Sequence, residues 1–533
     1  MQEDNKRKEW SRKIENKKYF HHVLCLSEVK GMDIRMKEGV SWLHYDWHFK
    51  LADAFPLVRC LEAVKDPEGR NFFEESYEEG DWEVVGVPHT FNDKDLFVAP
   101  IEDAGSGQKR TFACYRRWIG PVENLTERKV FLEFEGVRQT CYLYVNGHLA
   151  GYLESGVAPF GFDITGYLHE DKNNLLAIAT DNTSSRNLDF FSAETPNAEN
   201  AEPGSFITSL TKPEEIPAKN RGVGYFWNCN DFNPSVGGLT RSVRLHIKPK
   251  VYLTLPLYSN LRTKGCYIYG TDYDIAGKKA VIHAEAEVRN ESGKECRSRL
   301  KVTIKDETGK DAGSFFSKEM RIPAVKDAEK VSPKSILPKD AYHFDGEGFV
   351  PAGEEDVCPT CTESLEHTLI EAKECVEELH FWNLKVPYLY QVRIELYVDG
   401  EAVDSQEIET GFRKVSYDGT KGLCLNEEQI WLTGYAQRAT NEWPAIGCAP
   451  QWLKDQDAVW IRESNANHIR FMHVAGAPAD IRAFDRYGVV CTQPAGDKER
   501  ENFGRQWDQR MELMRDVILY FRNHPSIFFW EAG

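Results

Sequence analysis

Arg470, His473, Trp530 and Glu531 bring a guanidinium, an imidazole, an indole and a carboxyl to the ends of two short apolar runs, His468 to His473 and Ile527 to Glu531. These side-chain types serve ion pairing, proton transfer and stacking. If each run is a strand of a parallel sheet, a site gathers where the strands end. That rule selects Gly434 to Arg438, Arg470 to His473, Gln493 to Asp497, and Trp530 onward. Glu531 is the last acidic residue, and strand alternation puts it on the opposite face from Trp530. A plainer reading makes Arg470 one half of an ion pair within the sheet and His473 an ordinary loop histidine.

The elements that would position these residues alternate. A strand over Gln429 to Gly434 precedes a helix from about Gln451 to Ala466. A strand at His468 to His473 precedes a helix from Ala477 to Tyr487, and Val489 to Gln493 leads to a helix over Gly504 to Arg522. Ile527 to Trp530 is the fourth strand. Alternating strands and helices predict a parallel sheet, here the first half of a (β/α)8 barrel, spanning 416–533. Four strands alone leave two open edges, which invite pairing with another chain.

Upstream, the periodicity is that of β-sheets. Val130, Leu132 and Phe134 alternate with Phe131, Glu133 and Glu135 as a partly buried strand, and Val145-Asn146-Gly147 marks a tight hairpin. Residues 34–248 read as a jelly-roll sandwich. Longer strands such as Ala280 to Val288 and Arg299 to Lys305 make 249–415 an immunoglobulin-like sandwich. The Pro-, Lys- and Glu-rich stretch 321–378 reads as an insertion, and 1–33 as a charged extension.

A net charge of −18 argues against nucleic acid and anionic membranes as partners. No apolar run is long enough to span a bilayer. The 13 cysteines are odd in number and scattered, and the N-terminal stretch has no apolar signal segment, so reduced thiols and the cytoplasm are expected. Cys358-Pro359-Thr360-Cys361 is a CxxC without a second ligand pair, so no metal site is expected.

Several motifs in order carry a resemblance to family 2 glycoside hydrolases. They are Asp81-Trp82 before Val87-Pro88-His89-Thr90, Tyr115-Arg116-Arg117-Trp118, Val145-Asn146-Gly147 with Phe160 to Thr165, and Gly237 to Val243. Trp382-Asn383 with Pro387 to Tyr390, and Gly411-Phe412-Arg413, follow. The end of the chain, Asn523-His524-Pro525-Ser526-Ile527 through Trp530 to Gly533, is similar to the segment before the family's acid/base glutamate. The resemblance covers roughly residues 40 to 533, apart from the insertion.

It implies a retaining exo-glycosidase, most nearly β-galactosidase-like, with a carbohydrate substrate and no cofactor. The β-glucuronidases and β-mannosidases of the same family are the alternatives. The acid/base is expected just after Gly533 and the nucleophile on a later strand, so the chain alone is expected to be inactive. Glu531 is then a structural or supporting carboxyl, with a catalytic role as the alternative. Arg470 would support the carboxylate pair, and His473 and Trp530 would line the sugar pocket. Asn230 and Asp231, in a first-domain loop, would contact sugar hydroxyls or an ion, although an Asx turn is the plainer account of them. The chain departs from the family at Gly434 to Ala439 and at Gln493 to Asp497, which bears on the substrate. A non-catalytic carbohydrate-binding or scaffold protein is the reading from another class, and a homo-oligomer is left open.

Overall fold

The structure, a computed structural model, describes residues 36, 38–51, 70–92, 112–138, 140–153, 156–181, 236–325, 342–344, 349–351, 367–437, 450–472, 474–494 and 504–531. It is a multidomain, β-rich fold of two sandwiches followed by a layer of alternating strands and helices.

The first sandwich faces a four-stranded sheet (Gly39–Trp42, Val243–Pro249, Arg128–Phe134, Phe160–Asp163) against a six-stranded one that includes Trp47–Leu51, Phe112–Ile119 and Asn174–Asp181. Trp47, Tyr115, Leu132, Phe134, Leu143 and Ile178 fill the space between them. Asn146 and Gly147 both take positive φ, 50° and 84°, and close the hairpin between Thr140–Val145 and His148–Leu153. Arg128–Phe134 differs from the half-buried strand expected: Lys129 through Phe134 are all buried. The outer face is covered by later chain. Phe131 packs with Tyr252, Leu255, Leu257 and Leu261, with Tyr520 alongside.

The second sandwich pairs Lys279–Asn290 with Val251–Leu253, Cys266–Asp274 and Thr368–Val376, opposite a sheet built on Cys296–Lys305, Tyr390–Val398 and Glu401–Thr410. Thr368–Val376 corrects the expected extent of the insertion. It pairs with Lys279–Asn290 from Ala280↔Val376 to Val288↔Thr368. Glu371 and Lys373 alternate with buried Ile370 and Ala372 and occupy the outward face, while exposed Glu374 interrupts the buried row before Val376, which hides the strand in the sequence. Cys358 and Cys361 lie outside the described residues.

The last part of the chain is a parallel sheet in sequence order: β1 (Gly434–Gln437), β2 (His468–Phe471), β3 (Val490–Pro494) and β4 (Ile527–Glu531). The helices α1 (Gln451–Glu463), α2 (Pro478–Tyr487) and α3 (Gly504–Phe521) connect them. The first strand starts later than the apolar run 429–434 suggests. Glu428–Gln429 closes a small antiparallel sheet, while Ile430 and Leu432 pack with Trp382, Leu425 and Val490. β1 begins at Gly434, where a Cβ would sit 1.7 Å from the His468 carbonyl oxygen, so only glycine allows this approach to β2.

Ala458 and Ile461 of α1, Ile481 and Phe484 of α2, and Leu513, Val517 and Phe521 of α3 bury their apolar stripes against Ile469, Phe471, Cys491 and Ile527. Lys454 and Asp480, both buried, join α1 to α2 at 2.9 Å. Asp480 also accepts the Ala477 N–H at 2.8 Å and caps α2, and Gly488, at φ 68°, ends it.

Candidate functional site

Helices cover one face of the parallel sheet, and alternation sends the polar residues of its strands to the other. Ile469, Phe471 and Cys491 point to the helices, so His468, Arg470 and Thr492 point away from them. Phe529 joins this open face edge-on to His468, with ring centres 6.3 Å apart and planes at 89°. His468 Nε2 lies 3.1 Å from Thr492 Oγ1, and burial pushes its imidazole below the usual histidine range. Toward the C-terminal ends of the strands, Arg470 Nε donates to Glu531 Oε2 at 2.9 Å and Nη2 donates to Oε1. A guanidinium, a carboxylate and a neutral imidazole thus share one face.

Arg470 and Glu531 are brought together, and Trp530 is turned away from them, partly buried against the helix-side cluster. His473, Asn230, Asp231 and Gly533 lie outside the described residues. His468 and Thr492 were not singled out in the sequence, although their signal was there. His468 is two residues before Arg470 on a strand, and Thr492 is level with Arg470 in the register.

The sheet is held from below by the Asn523-His524-Pro525-Ser526 turn. Asn523 bonds the edge of the second sandwich through Ile268 N–H at 2.9 Å and Cys266 O at 3.0 Å, and its carbonyl accepts from Thr410 Oγ1 at 2.6 Å. Buried Asp485 takes the Ser526 N–H at 3.0 Å and lies 2.5 Å from His524 Nδ1, and its backbone carbonyl accepts the Trp382 indole N–H at 2.8 Å. Arg413 donates to the carbonyls of Pro525 and Ile527. The residues flanking β4 are therefore anchored by the second sandwich.

Helix α3 docks on the first sandwich through a buried polar group. Glu133 meets Arg244, His246 at 2.7 Å and the Tyr520 hydroxyl at 3.0 Å. Burial opposes its charge, but Arg244 and His246 overcome it and bring the carboxyl down to about 2. On the same helix, Asp516 accepts the Ser259 N–H at 2.8 Å and the Ser259 hydroxyl. Here burial prevails and pushes the carboxyl up to about 7.

Two β-sandwiches thus lead into a parallel strand–helix layer with an ion pair on its open face. The model of the glycosyl hydrolases family 2 sugar binding domain matches residues 47–188, and that of glycosyl hydrolases family 2 matches 266–413, together more than half of the chain. The chain belongs to glycosyl hydrolase family 2. It is 30% identical over 462 residues to a beta-glucuronidase of Formosa agariphila, covering 86% of this chain and 40% of that protein. It is 23% identical over 500 residues to a beta-galactosidase of Bacteroides ovatus, covering 92% of this chain and 45% of that one. A solved family 2 beta-glucuronidase superposes with a TM-score of 0.68 at 27% identity, over 93% of this chain and 43% of its own. A Bacteroides uniformis beta-glucuronidase, at 18% identity and a TM-score of 0.64 over 92% and 46%, shares the fold. The chain spans about half the length of the curated relatives it matches.

Proposed function

We propose that the protein carrying this chain is a retaining exo-glycoside hydrolase that cleaves terminal β-glycosidic bonds at the C-terminal ends of β1 to β4. The observation that carries the reading is the meeting of Arg470 and Glu531 on the open face of a parallel sheet that follows two family 2 domains. In this reading the sandwiches are jelly-roll and immunoglobulin-like, and the strand–helix layer is the first half of a (β/α)8 barrel. The exposed aromatics Trp431, Tyr435, Trp452 and Trp460, on or beside β1 and α1, support it as a surface for the rest of the barrel to cover.

A retaining reaction uses two carboxyls about 5–5.5 Å apart. One protonates the leaving oxygen while the other attacks the anomeric carbon to form a glycosyl-enzyme. The first then deprotonates water, which releases the sugar with its configuration kept. Both carboxyls are assigned to the sequence after Gly533, with Arg470 supporting them. The placement is cytoplasmic, a reading favoured by the buried free thiols of Cys114, Cys141, Cys266 and Cys491.

A β-galactoside is the first glycone. That order follows the sequence motifs; a β-glucuronide is the second reading, favoured by the 30% identity to the Formosa agariphila beta-glucuronidase against 23% to the Bacteroides ovatus beta-galactosidase. A panel of nitrophenyl β-galactoside, β-glucuronide and β-mannoside, assayed with the full-length protein carrying this chain, tests both. Release from one of them identifies the sugar. Sugar binding without release from any would overturn the reading in favour of a non-catalytic carbohydrate-binding protein.

A further inference from the structure

The loop that leaves β2 at the C-terminal end of the sheet is held from several sides. The Met472 N–H donates to the Gln437 carbonyl of β1 at 2.8 Å. Val474 and Ala475 are fully buried, in one apolar cluster with Val157 and Ala158 of the first sandwich. The Val157 carbonyl is itself fixed by Arg241 Nη1 at 2.9 Å. Gly476 lies against the Phe471 ring, which a Cβ would meet at 2.5 Å. Its N–H donates to Gln493 Oε1 at 2.8 Å. Gln493 is fully buried near the end of β3, on the helix side that Cys491 also faces. Its Nε2 is buried and has no partner among the described residues. An idle buried donor costs stability, so the work of this amide falls to its carbonyl oxygen.

We infer that Gln493 is a positioning residue: its side-chain oxygen ties the loop between β2 and α2 to β3 and holds the rim of the sugar site in its binding posture. The inference rests on the glycosidase reading above, which places the sugar at the C-terminal ends of β1 to β4. By sequence the same loop carries His473, which lies outside the described residues. Gln493 acts through the loop and not on the reacting atoms. Because Nε2 makes no bond, a glutamic acid at this position loses nothing that the glutamine uses. Burial favours its neutral form, whose carbonyl oxygen still accepts the Gly476 N–H. Methionine has similar bulk but leaves that N–H unpaired.

The test measures kcat and KM on the nitrophenyl β-glycoside panel with the full-length protein carrying this chain, as wild type, Gln493→Met and Gln493→Glu. Hydrogen–deuterium exchange of the peptide covering residues 472–477 is followed alongside. Gln493→Met should raise KM about tenfold, the size expected when a buried N–H loses its acceptor. Its kcat should change by less than about threefold, because the loop binds the sugar and does not react with it. Exchange should quicken in that peptide while the rest of β1 to β4 keeps its protection. Gln493→Glu should hold KM within about twofold of wild type. An unchanged KM in Gln493→Met, or a Gln493→Glu as impaired as Gln493→Met, would overturn the inference. Quickened exchange throughout β1 to β4 in Gln493→Met would also overturn it, by making the glutamine a general core residue. If the wild type hydrolyses none of the glycosides, the glycosidase reading falls and this inference with it. If it hydrolyses one and KM does not move, only the inference falls.

Discussion

The sandwiches and the strand–helix layer meet the need for a core in different ways. Each sandwich closes its apolar side chains between its own two sheets, as Leu132, Leu143 and Ile178 do in the first and Ile282, Val302 and Ile394 in the second. The parallel sheet is covered by its helices on one face, and polar bonds from the second sandwich to Asn523, Pro525 and Ile527 fix its base. The open face is therefore placed by its neighbours. The geometry of Arg470 and Glu531 depends on contacts near the far end of β4.

The largest effect on the base of β4 is expected from Asp485→Ala, on α2 of the layer itself. It leaves the Ser526 N–H and the His524 ring without their buried acceptor, at a cost of about 3 kcal/mol or more. Denaturant unfolding followed by tryptophan fluorescence and circular dichroism should then show the strand–helix layer melting before the sandwiches. A single shifted transition would mean that the layer is not separately anchored. Gly434→Val attacks the opposite edge of the sheet. Its side chain must displace the His468 carbonyl, so a loss of about 2 kcal/mol is expected, read as a lower unfolding midpoint.

The contact between α3 and the first half of the molecule can be sharpened with pH. Burial raises Asp516, Ser259 and Arg262 oppose this, and Glu512 adds to it. The folded state therefore keeps a proton that the unfolded state loses near its ordinary value of 3.8. That contribution to stability is present below this value and is lost as pH rises toward about 7. Asp516→Asn should flatten the fall in Tm across this window by a few degrees. An unchanged slope would count against a protonated Asp516. The smallest effect is expected at Trp452→Ser, on the exposed side of α1. In the 533-residue chain it should change stability by no more than about 0.5 kcal/mol, measured by denaturant titration.

Much of this arrangement was legible in the sequence because period-two and helical patterns follow burial. The alternating Val130, Leu132 and Phe134, the Asn146-Gly147 turn and the three helices of the last layer stood out for that reason. Thr368–Val376 was obscured because its outward charges outweigh its buried residues in composition. The start of β1 was hidden because the apolar run before it packs on Trp382 and Leu425 rather than within the parallel sheet. At the site, the ion pair of Arg470 was foreseen as one reading, but its partner was not. Glu531 lies 61 positions away in sequence, and only the register of β2, β3 and β4 brings the two together. The Asn523 to Ser526 turn stood out as a motif, while its work as a clamp depends on Arg413, Thr410 and Asp485.

The most direct test of the account is proton NMR of the first sugar released from a nitrophenyl β-glycoside by the protein carrying this chain. The β-anomer should appear first and then mutarotate, and Arg470→Gln should lower the rate by about a hundredfold or more. Initial release of the α-anomer, or no release from any β-glycoside, would contradict it.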